Sequence, residues 1–273
     1  MIQRFKQLVL CLLGCAVALS CLDSCTAWRM RAKVRESKTV VLDIGHYYHP
    51  ERGGQGARTP NDKYGTIEEC EFWYMYAGYV KEVIEKAGYT CIITNRGATP
   101  TDPKLAAQAE KLGVKQINTP EVGAVYRSKQ HPKRMAVGML SVNYALDQNP
   151  ACVVFLHHNS HSETWEIWHR GAFYSNMEGE SMATRMAGVM NEKILDKGMP
   201  NGGEMCHVII RTDGRRGGGD WLNACQESYV PAVITEVAFL SNPEHAKFLS
   251  KKQNAIRYAQ AIGEGIVTYL NAR

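Results

Sequence analysis

The chain has 273 residues, 45% hydrophobic and 22% charged, with a formal net charge of +5, a pI near 8.7 and a mean hydropathy of −0.30. That length suits one large domain or two small ones, and the balance excludes a disordered chain and a multispan membrane protein. The mild positive charge suits weak attraction to an anionic membrane or cell wall, and it is too small to indicate nucleic acid.

The chain opens with MIQRFKQ and then LVLCLLGCAVALSC, a basic start and an apolar run ending in small residues. This is the layout of an export signal, expected over residues 1–21, and it is short for a spanning helix. VALSC also resembles the bacterial lipobox, which would place a lipid anchor on Cys21. LLGC at Cys15 is a weaker candidate, and a plain signal peptide or an uncleaved anchor are alternatives. Residues 22–38 form a polar tether bearing Arg29, Arg31, Lys33, Arg35 and Lys38. The expected location is the periplasm or cell envelope. Four of the nine cysteines lie in or beside the leader; Cys70, Cys91, Cys152, Cys206 and Cys225 are scattered without a CxxC pair. They read as small hydrophobes rather than metal ligands, and spacing assigns no disulfide.

Residues 39–273 are expected to form one catalytic domain. TVVLDIGH gives a strand over Val40–Ile44 and its exit at Gly45 and His46, followed by a Gly- and Pro-rich loop over 47–66. From Glu68 to Ala87, apolar residues recur at spacings of three and four, an amphipathic helix closed by Gly88. YTCIITNR is the next strand; residues 97–133 are polar with at most one short helix, and 134–146 is a helix. ACVVFLHHNS, RGAFYSN, MCHVIIRT and VPAVITEVAF are further strands, with helices over 178–195, after Ser241-Asn242-Pro243, and over 251–270. The alternation predicts an α/β domain, a twisted, mostly parallel sheet of about six strands with helices on both faces.

Three core strands run out into groups that ligate or move protons: Ile44 before His46, Leu156 before His157, and Thr235 before Glu236. In an open α/β sheet, sites form beyond the carboxyl ends of the strands, where these three can converge. Glu69, at the start of the helix after the first strand, adds a second carboxylate. Two imidazoles and a carboxylate make a catalytic zinc set with one position left for water, and a further carboxylate outside that set would serve as general base. Each residue alone has a plainer role. His46 suits a hydrogen-bonding loop residue, and Glu68, Glu69 and Glu71 suit the positive end of a helix dipole. His157 and His158, successive on a strand, should point to opposite faces. His49, His161, His169, His207 and His245 have no strand-end placement.

These motifs resemble the zinc-dependent N-acetylmuramoyl-L-alanine amidases of amidase type 3. That family pattern is Asp-x-Gly-His at a strand end, a Glu opening the next helix, His-x-Asn at another strand end, and a Pro-Ala-Val run leading to Glu-x-x-Phe-x-Ser-Asn. Here they read LDIGH, IEECEF, FLHHN and PAVITEVAFLSN, and RGAFYSN is similar to an Arg-Gly-x-x-x-Tyr strand of the family. The resemblance implies that His46, Glu69 and His157 bind one Zn²⁺, that Glu236 is the catalytic base, and that peptidoglycan is the substrate. Glu69 is preferred to Glu68 for its fit to the family's Glu-x-Glu-Phe-Asn variant. Trp73 departs from that variant, standing where Asn is usual, and YYHPERGGQG follows His46 where the family continues with Gly-Gly. No residue is assigned to substrate binding. A protein activator, and a lid or partner-binding role for residues 97–133, are left open. Two alternatives stand: another zinc peptidase acting on stem peptides, and a non-catalytic wall-binding protein.

Overall fold

The computed structural model describes residues 36–45, 56–59, 67–94, 114–119, 123–128, 150–160, 172–195, 197–200, 205–210, 225, 228 and 230–273. Residues Lys38–Arg273 form one compact unit. Its elements are β1 (Thr39–Ile44), α1 (Glu69–Lys86), β2 (Thr90–Thr94), β3 (Val114–Thr119), β4 (Gly123–Ser128), β5 (Cys152–Leu156), β6 (Ala172–Ser175), α2 (Glu180–Lys193), β7 (His207–Ile210), β8 (Ala232–Glu236), α3 (Pro243–Leu249) and α4 (Lys252–Leu270). All six strands expected for the sheet are present. The helix expected over 134–146 lies outside the described residues. Within 97–133, the described backbone is an antiparallel hairpin of β3 and β4, where the sequence suggested at most a short helix. Its polar-rich strands, VKQINT and GAVYRS, lack the period-two apolar pattern that would have announced them.

The six-stranded sheet has the order β2-β1-β5-β8-β6-β7. Every pairing is parallel except β6 with β8. β1, β5 and β8 are central, and their short apolar runs are the mark of strands buried on both faces. One face supplies Val40, Leu42, Ile44, Val154, Leu156 and Val233 to the main core, which α1, α2 and α4 complete. Val41, Val153, Phe155 and Ile234, on the other face, are equally buried. α4 packs against both α1 and α2. It approaches closely because Gly263 faces Val83 and Gly265 faces Met186, where a β-carbon would come within 3 Å of either neighbour.

From β1 the chain passes to β2 on one side and later returns to β5 on the other. The reversal opens a crevice at the carboxyl ends of β1 and β5, where α/β sheets place their sites. Among the described residues, no helix is long and apolar enough to cross a membrane. Cys91, Cys152 and Cys225 are buried free thiols, each pushed up to about 12 by burial.

Candidate active site

Backbone pairing brings the strand ends together. Gly45 N donates to Leu156 O at 3.0 Å, which ties the exit of β1 to the end of β5. Leu156 is in register with Thr235, so the next residues, His157 and Glu236, leave neighbouring strands side by side, at the roughly 4.8 Å spacing of a sheet. Thr235 Oγ1 locks the junction, accepting from His157 N at 3.1 Å and donating to His157 O at 3.2 Å.

Glu69 enters this corner from the first residue of α1. It is almost wholly buried, and its Oε1 lies 2.9 Å from His157 Nδ1. Oε1 also accepts from the backbone N of His158 at 2.9 Å, and Oε2 accepts from Ala57 N at 2.7 Å. Ala57 is delivered by a short antiparallel pairing of residues 57–59 with 67–69, in which Glu69 N donates to Ala57 O and Thr59 N to Ile67 O. These two backbone donors to the Glu69 carboxylate come from outside its own helix, which is not the capping role its position allows. Glu68 turns instead toward Arg58, at 3.9 Å, so Glu69 is the carboxylate beside His157.

The His157 ring lies against Gly45. Its side chain and that of His158 part as period-two geometry requires: His157 joins Glu69, and His158 enters the helix-side core among Phe72, Trp73 and Tyr258. Burial, ahead of all charge effects, lowers His158 to about 3, so this ring is neutral.

Glu236 ends β8 with its Oε2 enclosed and without a hydrogen-bond partner among the described residues. Its carboxyl is held well above the usual carboxylate range, first by burial and then by the negative charge of Glu69. A cation between them would relieve that conflict, and the donor set, carboxylate plus imidazole, is one that zinc accepts. Among the described residues no three His, Cys, Asp or Glu side chains form a metal-holding group. His46 lies outside the described residues, directly after Gly45. The structure thus gathers Glu69 and His157 and sets Glu236 close enough to feel the charge of Glu69.

Sequence reasoning passed over His245. It is fully buried: Nδ1 accepts from Phe239 N at 3.0 Å, and Nε2 faces Pro200 O at 2.7 Å, which fixes the proton on Nε2. It ties the segment beyond β8 to residue 200. The available signal was local, since Asn242 caps α3 by accepting from Glu244 N and His245 N, which directs the His245 side chain inward.

Several solved structures share the fold. The amidase AmiC2 of Nostoc punctiforme matches with a TM-score of 0.56 at 16% identity, covering 85% of this chain and 97% of that one. The catalytic domain of CwlV from Bacillus (Paenibacillus) polymyxa var. colistinus matches at 0.55 and 17%, covering 86% and 99%. The CwlD amidase from Clostridioides difficile, solved in complex with the GerS lipoprotein, matches at 0.57 and 16%, covering 87% and 100%. At these identities the likeness is one of fold. No curated protein matches. The Amidase_3 family model, N-acetylmuramoyl-L-alanine amidase, matches residues 40–268, nearly the whole compact unit. By that match the chain belongs to the N-acetylmuramoyl-L-alanine amidase family, whose reaction is hydrolysis of the amide between muramic acid and L-alanine in peptidoglycan.

Proposed function

We propose that this amidase is a zinc hydrolase in which His46, Glu69 and His157 hold one ion and Glu236 handles the proton. The observation that carries the reading is the 2.9 Å approach of Glu69 Oε1 to His157 Nδ1, in a buried corner shared with a second carboxylate. When bound, zinc lowers the pKa of water from ~16 to roughly 7 and polarises the carbonyl under attack.

The chain's own residues do the rest. The backbone donors of Ala57 and His158 hold the Glu69 carboxylate in one orientation, and the Thr235 hydroxyl fixes the backbone that carries His157. Glu236 takes the proton of the attacking water as its oxygen bonds to the lactyl carbonyl carbon. When the C–N bond breaks, Glu236 returns that proton to the alanine nitrogen, which leaves as a neutral amine. We also propose that residues 1–21 direct export, that Cys21 carries a lipid, and that residues 22–38 tether the domain at the cell envelope.

Mass spectrometry of purified sacculi after digestion tests the reaction. Free L-alanine amino termini and intact muramic acid carboxyls are expected, with the yield lost in chelator and restored by zinc. New termini within the stem peptide would instead indicate a peptidase.

A further inference from the structure

Four rings close the inner side of the site. Trp73 lies nearly parallel to His158, with centroids 4.9 Å apart and planes at 13°. Tyr258, from α4, is near-parallel to His158 at 5.7 Å and 25°, and lies 6.0 Å from Trp73. Phe72 meets all three edge-on, at 4.6 Å from His158, 5.1 Å from Trp73 and 6.1 Å from Tyr258. Such offset and edge-to-face pairs add stabilisation beyond the area they bury. Phe72, Trp73, His158 and Tyr258 are all buried, and neither His158 ring nitrogen nor Trp73 Nε1 has a hydrogen-bond partner among the described residues.

Residue 158 links this cluster to the chemistry. Its ring is in the stack, and its backbone N–H donates to Glu69 Oε1. Trp73 follows Glu69 by four residues on α1 and so shares its helix face. The end of β5 and the start of α1 are therefore joined by two rungs. In one, Glu69 meets His157 Nδ1 and the His158 N–H; in the other, one turn along, Trp73 meets the His158 ring. To the packing of α1 on α4 and the backbone pairing of Glu69 with Ala57, the second rung adds a direct contact, one turn along, between the helix that carries Glu69 and the strand end that carries its partners.

We infer that the His158–Trp73 stack is a positioning device for Glu69, holding the helix start in the one setting that meets the His158 N–H and the His157 ring. The inference rests on the proposed metal site. In this reading His158 and Trp73 are positioning residues that act through Glu69.

The test is zinc affinity, measured by chelator competition on the purified full chain, with thermal melts of the same samples and kinetics on sacculi. His158→Phe keeps a flat ring, whereas His158→Leu and Trp73→Leu fill the space without one. The Phe variant is expected within about threefold of wild-type affinity, and both Leu variants at least about tenfold weaker, with kcat reduced and KM little changed. A cooperatively melting Leu variant that binds zinc within about threefold of wild type overturns the inference. So does failure of both Leu variants to melt cooperatively, which would make the stack a requirement for folding alone. His157→Ala separates the two readings. If wild type holds no zinc, or His157→Ala keeps it, the site assignment fails. If His157→Ala loses zinc and His158→Leu keeps it, only the role of the stack fails.

Discussion

The His157 imidazole rests against Gly45: a β-carbon at residue 45 would lie within 3 Å of Cε1, Nε2 and Nδ1 of that ring. No real β-carbon tolerates such contacts, so the ring occupies space that glycine alone leaves open. Because β1 and β5 are locked in register, the backbone cannot give way easily and the ring must move. Gly45→Ala is expected to weaken zinc binding at least about tenfold while leaving a cooperative thermal transition. Zinc titration of the variant checks this, and wild-type affinity would show that His157 is not a ligand in its present place.

Metal-free Glu236 should be a burden on stability at neutral pH. Its carboxyl is raised by burial and by Glu69, so the unfolded chain gives up the proton first as pH rises. Below the ordinary carboxylate value of about 4.3, both states are protonated and nothing is lost; above it, the folded state is penalised increasingly until the raised folded value is reached. In chelator-treated protein, Glu236→Gln should therefore raise Tm near pH ~7.5 and give much less gain near pH ~3.5. Paired melts at the two pH values check it, and an equal gain at both would exclude charge as the cause.

Asn176 is a structural clasp away from the chemistry. Nδ2 donates to Ser228 O and Val230 O, and Oδ1 accepts from Gly179 N and Ala232 N, so one buried amide joins the exit of β6 to the entry of β8. Asn176→Ala strands several buried backbone groups and should cost about 3 kcal/mol or more in urea unfolding. Zinc affinity of the folded fraction should be unchanged.

Asn242 makes a smaller contribution. Its side chain caps α3, and Asn242→Ala should cost about 1 kcal/mol. Urea unfolding measures the loss, and a cost near zero would mean that water replaces the cap.

The sheet was legible because β1, β5 and β8 are buried on both faces and read as mainly apolar runs, VVLDI, CVVFL and AVITE, broken by Asp43 in β1 and by Thr235 and Glu236 at the end of β8. The polar residues after them stand out for the same reason. The antiparallel seating of β6 on β8 was not legible, since its short run AFYS has the same composition in either direction. Glu69 could be chosen over Glu68 only through family resemblance; in the structure Glu69 lies beside His157 and Glu68 faces Arg58. Sequence period correctly parted His157 from His158, yet it could not foresee the role of the second. The ring of His158 meets Trp73 and Tyr258 only after helices from distant parts of the chain have packed. Trp73, which departs from the family's Asn, finds its place in that contact. Ala57 contributes a backbone N–H, which leaves no trace in a side-chain pattern.

The most direct measurement is the rate at which Glu236→Gln releases peptides from sacculi, taken on samples whose zinc content is determined at the same time. The account predicts one zinc per chain, as in wild type, and a rate at least ~100-fold lower. Release near the wild-type rate at full zinc occupancy would contradict it, because the proton would then have another carrier.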